Sequence, residues 1–262
     1  MKRVEGLFAF LLSLLAALAP AQAAAAPIPV ASPETVFLDV ARQIGGSAVV
    51  AEIVKPSERP AQPPQILITE GDASDRWVSS ARERLRASAV VAARKVAPDL
   101  AGDGPSWYDL SAMGALGGAI AAEIARAAPD QASGVTSRRD AFLIALAELK
   151  LKSKQIVDGY GGTSVLLTDA RFEPFCRSLG LKVVTIPPQG EAAKSAIAAR
   201  EGIVLIYNAD DRKGLDALKA VAEDSGLPLV GLRLTLPSAL SYQQWIGREI
   251  NLVRGALNEA AP

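Results

Sequence analysis

The chain of 262 residues contains no histidine. That removes the commonest protein ligand for transition metals and the usual general base at neutral pH. It has one cysteine, Cys176, so no disulfide can form within the chain. Cys176 falls in a stretch that reads as helix, where a lone thiol behaves as a small buried hydrophobe. Net charge is missing too: 28 basic residues balance 28 acidic ones. That balance does not point to nucleic acid or an anionic membrane surface as a partner. Without histidine, a Cys–base pair or a nucleophile elbow, the chain does not read as an enzyme.

The apolar run Leu7 to Leu18 is too short to span a bilayer. Lys2 and Arg3 precede it, with an unusual Glu5, and Pro20 ends it. Ala21-Gln22-Ala23 then fits a small-x-small cleavage pattern. We read residues 1–23 as a secretory signal, with Ala25 or Ala26 as alternative cleavage points; the other reading is an uncleaved anchor. No cysteine follows the run closely, so there is no lipid-attachment site and no membrane anchor is expected. The mature chain keeps 26 basic and 27 acidic residues. It should be exported and soluble, most simply in a bacterial periplasm.

What is present is a repeated α/β pattern. Residues Gly162 to Ile186 organise the chain: an apolar run (Val165 to Leu167), a polar tip (Thr168, Asp169), a helix with Phe172 and Phe175, Gly180, and a second apolar run (Val183, Val184). This reads as strand, turn, helix and parallel strand. Further strands are expected at 203–207 and 227–232, and a final helix over 242–257 buries Trp245, Ile246, Ile250, Val253 and Leu257. The first half repeats the architecture. Ile28–Ala31 precedes a helix with Ser32 as N-cap and Pro33 in its first turn. Strands follow at 48–54, 66–68 and 87–93, with a helix from about Ser74 and another over 111–127. Pro56–Pro64 is a loop. A long helix over about 137–157 is either a spine between two lobes or an ordinary surface helix. Gly159–Gly162 precedes its strand, so it is no phosphate loop. The expected class is α/β: two lobes of mostly parallel sheet with flanking helices, joined by a long helix. The bounds are 24–132, 133–159 and 160–262.

Three segments then carry a resemblance. Pro105-Ser106-Trp107-Tyr108-Asp109 before an Ala-rich helix resembles a Pro-His-x-Trp-Leu-Asp segment. Thr168-Asp169-Ala170 with Phe172, Phe175 and Gly180-Leu181 resembles His-Asp-Ala-Phe…Phe…Gly-Leu. Gly226-Leu227-Pro228 resembles the approach to a last acidic ligand. These belong to the zinc and manganese solute-binding proteins of ABC transporters. The resemblance implies a receptor that closes on its solute and docks to a permease in the inner membrane. It also implies histidine ligands, none of which is here. The first histidine loop is shortened into Pro56–Pro64. The second histidine falls near Pro105 or Ser106, the third at Thr168, the acidic ligand near Arg233, and a further glutamate at Asn208. Loss of every imidazole argues against a nitrogen-rich zinc site.

Candidate ligand contacts at strand ends are Glu70, Ser106, Asp109, Thr168, Asp169, Asn208 and Arg233. Asp169 and Asp109 either meet a ligand or cap the helices they precede. Glu70, Asp72, Asp210 and Asp211 either line the cleft or are solvated turn residues. Converging carboxylates, Asp109 and Asp169 first, would make an oxygen-only site for Mn, Mg or Ca. An inward Arg171, Arg212 or Arg233 would favour an anion or a metal chelate carrying carboxylates. Trp107, Tyr108, Tyr207 and Tyr242 could stack on an organic ligand or belong to the core. The alternative function is a binding-dead relative kept for protein contacts in the periplasm, whose cleft would be closed or filled by side chains.

Overall fold

A computed structural model describes residues 26–55, 62–71, 85–100, 104–211 and 215–261. The expected signal, the first six residues of the Pro56–Pro64 loop, Asp72, most of the helix expected from Ser74 (with Trp77), and Arg212 lie outside the described residues. Each half builds one sheet of four parallel strands. The first holds β1 (Ile28–Ser32), β2 (Val49–Ile53), β3 (Ile66–Thr69) and β4 (Ala89–Ala92), in the order β2-β1-β3-β4. The second holds β5 (Ser164–Leu167), β6 (Lys182–Thr185), β7 (Leu205–Asn208) and β8 (Leu229–Leu232), in the order β6-β5-β7-β8. The second half thus repeats the strand order of the first. Central β3 is buried along its whole length, as an unbroken apolar run must be when helices cover both faces of a parallel sheet.

Helix α1 (Thr35–Gly45) crosses from β1 to β2 and buries Val36, Phe37, Val40, Ala41 and Ile44, the expected face. Its start differs from the sequence reading. Glu34 is the N-cap, and Ser32 closes β1, with its carbonyl accepting the Val54 amide at 3.0 Å. Sheet pairing claims Ser32 first; its Oγ then accepts the Glu34 amide at 3.1 Å. The strand expected over 87–93 ends at Ala92, because Ala93 opens a helical turn, α2 (Ala93–Val96). In α3 (Leu110–Ala127), small residues let neighbours close in. A Cβ on Gly117 would stand 2.9 Å from the Phe142 ring and 3.3 Å from Ile44 Cδ1.

Helix α4 runs from Ala132 to Tyr160, 29 residues, roughly 43 Å at 1.5 Å per residue. Val135, Phe142, Leu146, Leu149 and Ile156 form its buried stripe, while Leu143 and Leu151 face solvent. That division explains why its apolar spacing is only partly regular. Near its start Arg138 donates to the Ile44 and Gly45 carbonyls at 2.7 and 2.8 Å, the end of α1. Near its end Val157 packs beside Gly180, before β6. Of the two readings of this helix, the spine holds.

The second lobe adds α5 (Glu173–Ser178), α6 (Glu191–Ala198), α7 (Leu215–Asp224) and α8 (Tyr242–Ala260). A reciprocal Ser241–Gln244 capping box starts α8. This last helix reaches back to the first lobe. The Tyr242 amide donates to Asp39 at 2.8 Å, Gln243 to Gln43 at 2.8 Å, and the Tyr242 hydroxyl to the Trp107 carbonyl at 2.7 Å. One apolar cluster accordingly runs through both halves. Cys176 is fully buried, and burial pushes its thiol up to about 12. Among the described residues no helix is long and apolar enough to cross a membrane.

Candidate inter-lobe site

In open parallel sheets, ligands lie beyond the carboxyl ends of the strands, at the point where the strand order reverses. Here those points fall between β1 and β3, and between β5 and β7. Ser32 and Glu70 end the first pair; Thr168–Asp169 and Asn208 end the second.

Glu70 is buried, with 5% of its surface exposed. Its Oε1 accepts the Ser106 amide at 2.8 Å and its Oε2 the Ser106 hydroxyl at 2.7 Å. Arg94 Nε stands 3.3 Å from Oε1, and the same guanidinium donates to the Gly104 carbonyl at 2.5 Å. Glu70 and Ser106, both read as ligand contacts, grip each other and fix the 104–108 segment. A Cβ on Gly104 would sit 2.5 Å from Pro174 Cγ and 2.9 Å from the Arg171 carbonyl, so the lobes touch there. Asp109 caps α3, accepting the Ser111 and Ala112 amides at 2.7 and 2.9 Å.

Asp169 caps the 3-10 turn Ala170–Phe172, accepting the Arg171 amide at 3.1 Å. The Arg171 guanidinium reaches the same carboxylate at 2.9 and 2.6 Å, and Asn208 Nδ2 donates to it at 2.9 Å. Burial alone would raise its pKa. The Arg171 and Asn208 hydrogen bonds and the Arg171 charge hold it below the usual carboxylate range instead. Asn208 is buried, and its Oδ1 accepts the Asp210 amide at 2.9 Å. Asp210 in turn accepts from Arg233 Nη1 at 2.9 Å, the Leu234 and Thr235 amides at 2.9 and 3.2 Å, and the Thr235 hydroxyl at 2.9 Å. Against partial burial, those bonds and the Arg233 charge hold its carboxyl low as well. Asp169, Asn208 and Arg233 thus join one network through Asp210. Thr168 is half-buried, and its amide extends the ladder to the Ile206 carbonyl at 3.1 Å.

Tyr108 lies between the lobes. It comes from the first lobe, yet its ring packs on Phe172, Phe175 and Trp245 at centroid distances of 5.6, 4.9 and 5.9 Å. Its hydroxyl donates to the Arg233 carbonyl. Burial, then the charges of Glu249 and Asp210, push its ionisation far above the ordinary range. Trp107 and Tyr242 are likewise buried, so of the four aromatics considered for stacking these are core; Tyr207 is half-buried beneath Lys219 Nζ, 4.4 Å from its ring.

Beside Tyr108 opens a cavity of about 770 Å³. The first lobe lines it with Leu100, Gly104, Pro105 and Asp109; the second with Ala170, Arg171, Glu173, Pro174, Arg177 and Ser178. A space of that size suits a small organic molecule rather than a bare ion. Among the described residues no group of three or more Cys, Asp or Glu side chains converges to hold a metal.

One buried acid escaped the sequence reading. Glu249 is 2% exposed, and Trp245 Nε1 donates to its Oε1 at 2.9 Å. Burial raises its pKa from 4.5 to about 7 against opposing pulls from Trp245, the Arg233 amide, Arg248 and the Arg233 side chain. A signal was available: Glu249 sits four residues after Trp245, inside the apolar stripe of α8.

Two parallel-sheet lobes that together line one cavity make a bilobed α/β fold. The family described as zinc-uptake complex component A, periplasmic, matches residues 30–213, and the chain belongs to that family. Its members are solute-binding receptors, not enzymes. Solved structures agree on the fold. The metal-dependent lipoprotein YcdH of Bacillus subtilis superposes with a TM-score of 0.72 at 16% identity, over 87% of this chain and 99% of that one. The periplasmic zinc-binding protein TroA of Treponema pallidum gives 0.68 at 16%, over 88% and 99%. Zn(II)-bound AdcA of Streptococcus pneumoniae gives 0.69 at 13%, over 90% of this chain; the chain spans 59% of AdcA. No curated protein sequence matches the chain.

Proposed function

We propose that this chain is an exported receptor of an ABC uptake system whose solute is a metal chelate held between the lobes. Cleavage after Ala23 would release it to the periplasm, with lobes 24–132 and 160–262 and the connecting helix 133–159. A permease in the inner membrane is its implied partner, through the family. The observation that carries the reading is the cavity of about 770 Å³ lined by both lobes, with Arg171, Arg177, Asp109 and Glu173 on its walls. Two guanidiniums suit the carboxylates of a chelator. Asp109 and Asp169, the oxygen ligands considered for a bare cation, serve as caps. Lobe closure over the chelate would supply the signal to the permease.

Isothermal titration of metal-stripped protein tests this. Citrate-type chelates of zinc, manganese or iron should bind with higher affinity than the bare ions, and Arg171→Ala should weaken them about tenfold or more. No binding of any chelate would overturn the reading. Tyr108 favours a second one: packed on the opposite lobe and bonded to it, it is the kind of inter-lobe side chain that a binding-dead relative serving as a periplasmic partner would carry. Native mass spectrometry of protein from its own cell separates the two, by a co-purified small molecule or a co-purified protein.

A further inference from the structure

We propose that the solute site runs on from the main cavity to the spine helix, where Lys150 and Lys154 receive a second acidic group of an elongated chelate. The inference rests on the chelate reading and adds to it the shape and charge pattern of the ligand. It starts from a second cavity, of about 320 Å³, beside the first. Tyr108, Asp109 and Ser178 line both spaces, so the two adjoin along one seam. Beyond that shared wall they differ. The main cavity has Arg171 and Arg177. The second has Lys150, Ser153 and Lys154 of α4, with Ser111 of α3. Each end of the seam thus carries two cations.

Those cations are not equally occupied. Arg171 and Arg177 each hold a carboxylate, Asp169 and Glu173. Lys154 Nζ lies 2.6 and 2.8 Å from the two oxygens of Asp158. Lys150 is different: its ammonium donates to the neutral Ser111 hydroxyl at 3.0 Å, and among the described residues no carboxylate pairs with it. An ammonium has three N–H donors, so Ser111 fixes its position and leaves the others for a ligand. An arriving acid group meets Lys150 without breaking an ion pair. The shared wall has the opposite character. Asp109 places a carboxylate there, and the Ser178 hydroxyl, which donates to the Phe175 carbonyl at 2.7 Å, turns its lone pairs to other donors. A second acid would be repelled at that point; an uncharged linker with an N–H group would be accepted. The seam therefore suits acid, neutral linker, acid, in that order. A compact chelate stays in the main cavity and leaves Lys150 unused.

Isothermal titration on the full mature chain tests this with zinc complexes of citrate monoamides. The amide carries an arm of increasing length that ends in a carboxylate or, in the paired probe, a carboxamide. Once the arm is long enough to pass Ser178, the carboxylate probe should bind about tenfold more tightly than its pair. Lys150→Gln should remove that preference, and Lys150→Arg should restore it. Lys150 is exposed, so neither change disturbs the core. Lys154→Gln should reduce the preference less, because Asp158 already holds Lys154. Arg171→Ala should weaken both probes alike and keep the preference. Equal affinities of the paired probes at every arm length, or a preference that survives Lys150→Gln, would overturn the extension and leave the chelate reading standing. Failure of every probe and of the plain citrate chelates to bind would overturn the chelate reading, and the extension with it.

Discussion

The two sheets share one strand order, yet their ends are built for different work. Beyond β3, Glu70 is sealed: both oxygens accept from Ser106, and Arg94 stands beside Oε1, all within the same lobe. Beyond β5 and β7, Asn208 donates to Asp169, and Arg171, which holds Asp169 and lines the inter-lobe cavity, keeps 58% of its side chain exposed. One switch point has become a structural clamp; at the other, Arg171 of the same network also lines the inter-lobe cavity. A shared topology therefore fixes where a site can be placed, while the local partners of each acid decide whether it is free to act there.

The sharpest way to break this comparison is to remove the acid from each side. Removing one partner of a buried ionic cluster leaves the others uncompensated. Glu70→Ala should lower the unfolding free energy by about 4 kcal/mol, read by urea denaturation, because the Ser106 amide and hydroxyl lose their acceptor and Arg94 loses the nearby charge. Asp169→Ala should cost only about 1 kcal/mol, the value of a cap, since Arg171 can return to water. Instead it should change solute affinity. Equal stability losses at the two positions would mean that the second switch point is a clamp as well.

The pH dependence of stability comes next in size and separates the core acid from the cleft acids. The folded-state pKa of Glu249 is raised, so its contribution is fully present below 4.5 and lost as pH rises to about 7. That loss is on the order of 3 kcal/mol at about 1.4 kcal/mol per unit. Asp169 and Asp210 are depressed. Their contribution is present above the ordinary carboxylate pKa of 3.8 and fades as the solution becomes more acidic. Stability should therefore peak between the two regimes, in mild acid, and Glu249→Gln should flatten only the alkaline flank. Calorimetric melting across pH checks both flanks.

Most of the fold was legible in the sequence, because long apolar runs bounded by polar turns and glycines leave few alternatives in a parallel sheet. The strand ends Thr168, Asp169 and Asn208 were found by that logic. What could not be read was partnership. Asp109 and Asp169 carry the same sequence signal as ligands and as caps, and only the positions of the Ser111 and Arg171 amides decide for capping. Ser32 looked like a helix cap until the β1–β2 ladder claimed it. The return of α8 to the first lobe depends on Asp39 and Gln43, about two hundred residues away in the chain, a separation no local pattern encodes. Tyr108 as an inter-lobe wedge was hidden for the same reason, since an aromatic in a loop reads equally as core or contact.

The smallest expected effect concerns Arg233, which resemblance placed where an acidic ligand would stand. Its side chain is half exposed and meets Asp210 at 2.9 Å. Asp210 keeps its bonds to the Leu234 amide and to the Thr235 amide and hydroxyl without it. An exposed pair with that support is worth little, so Arg233→Ala should change stability by no more than about 0.5 kcal/mol. The backbone carbonyl of the same residue, by contrast, accepts the Tyr108 hydroxyl, and alanine leaves it in place. Lobe closure measured by scattering should therefore be unchanged in Arg233→Ala, while Tyr108→Phe alters it. If removing the guanidinium instead opens the lobes, side-chain charge rather than the Tyr108 bond to the Arg233 carbonyl holds the second switch point against the first.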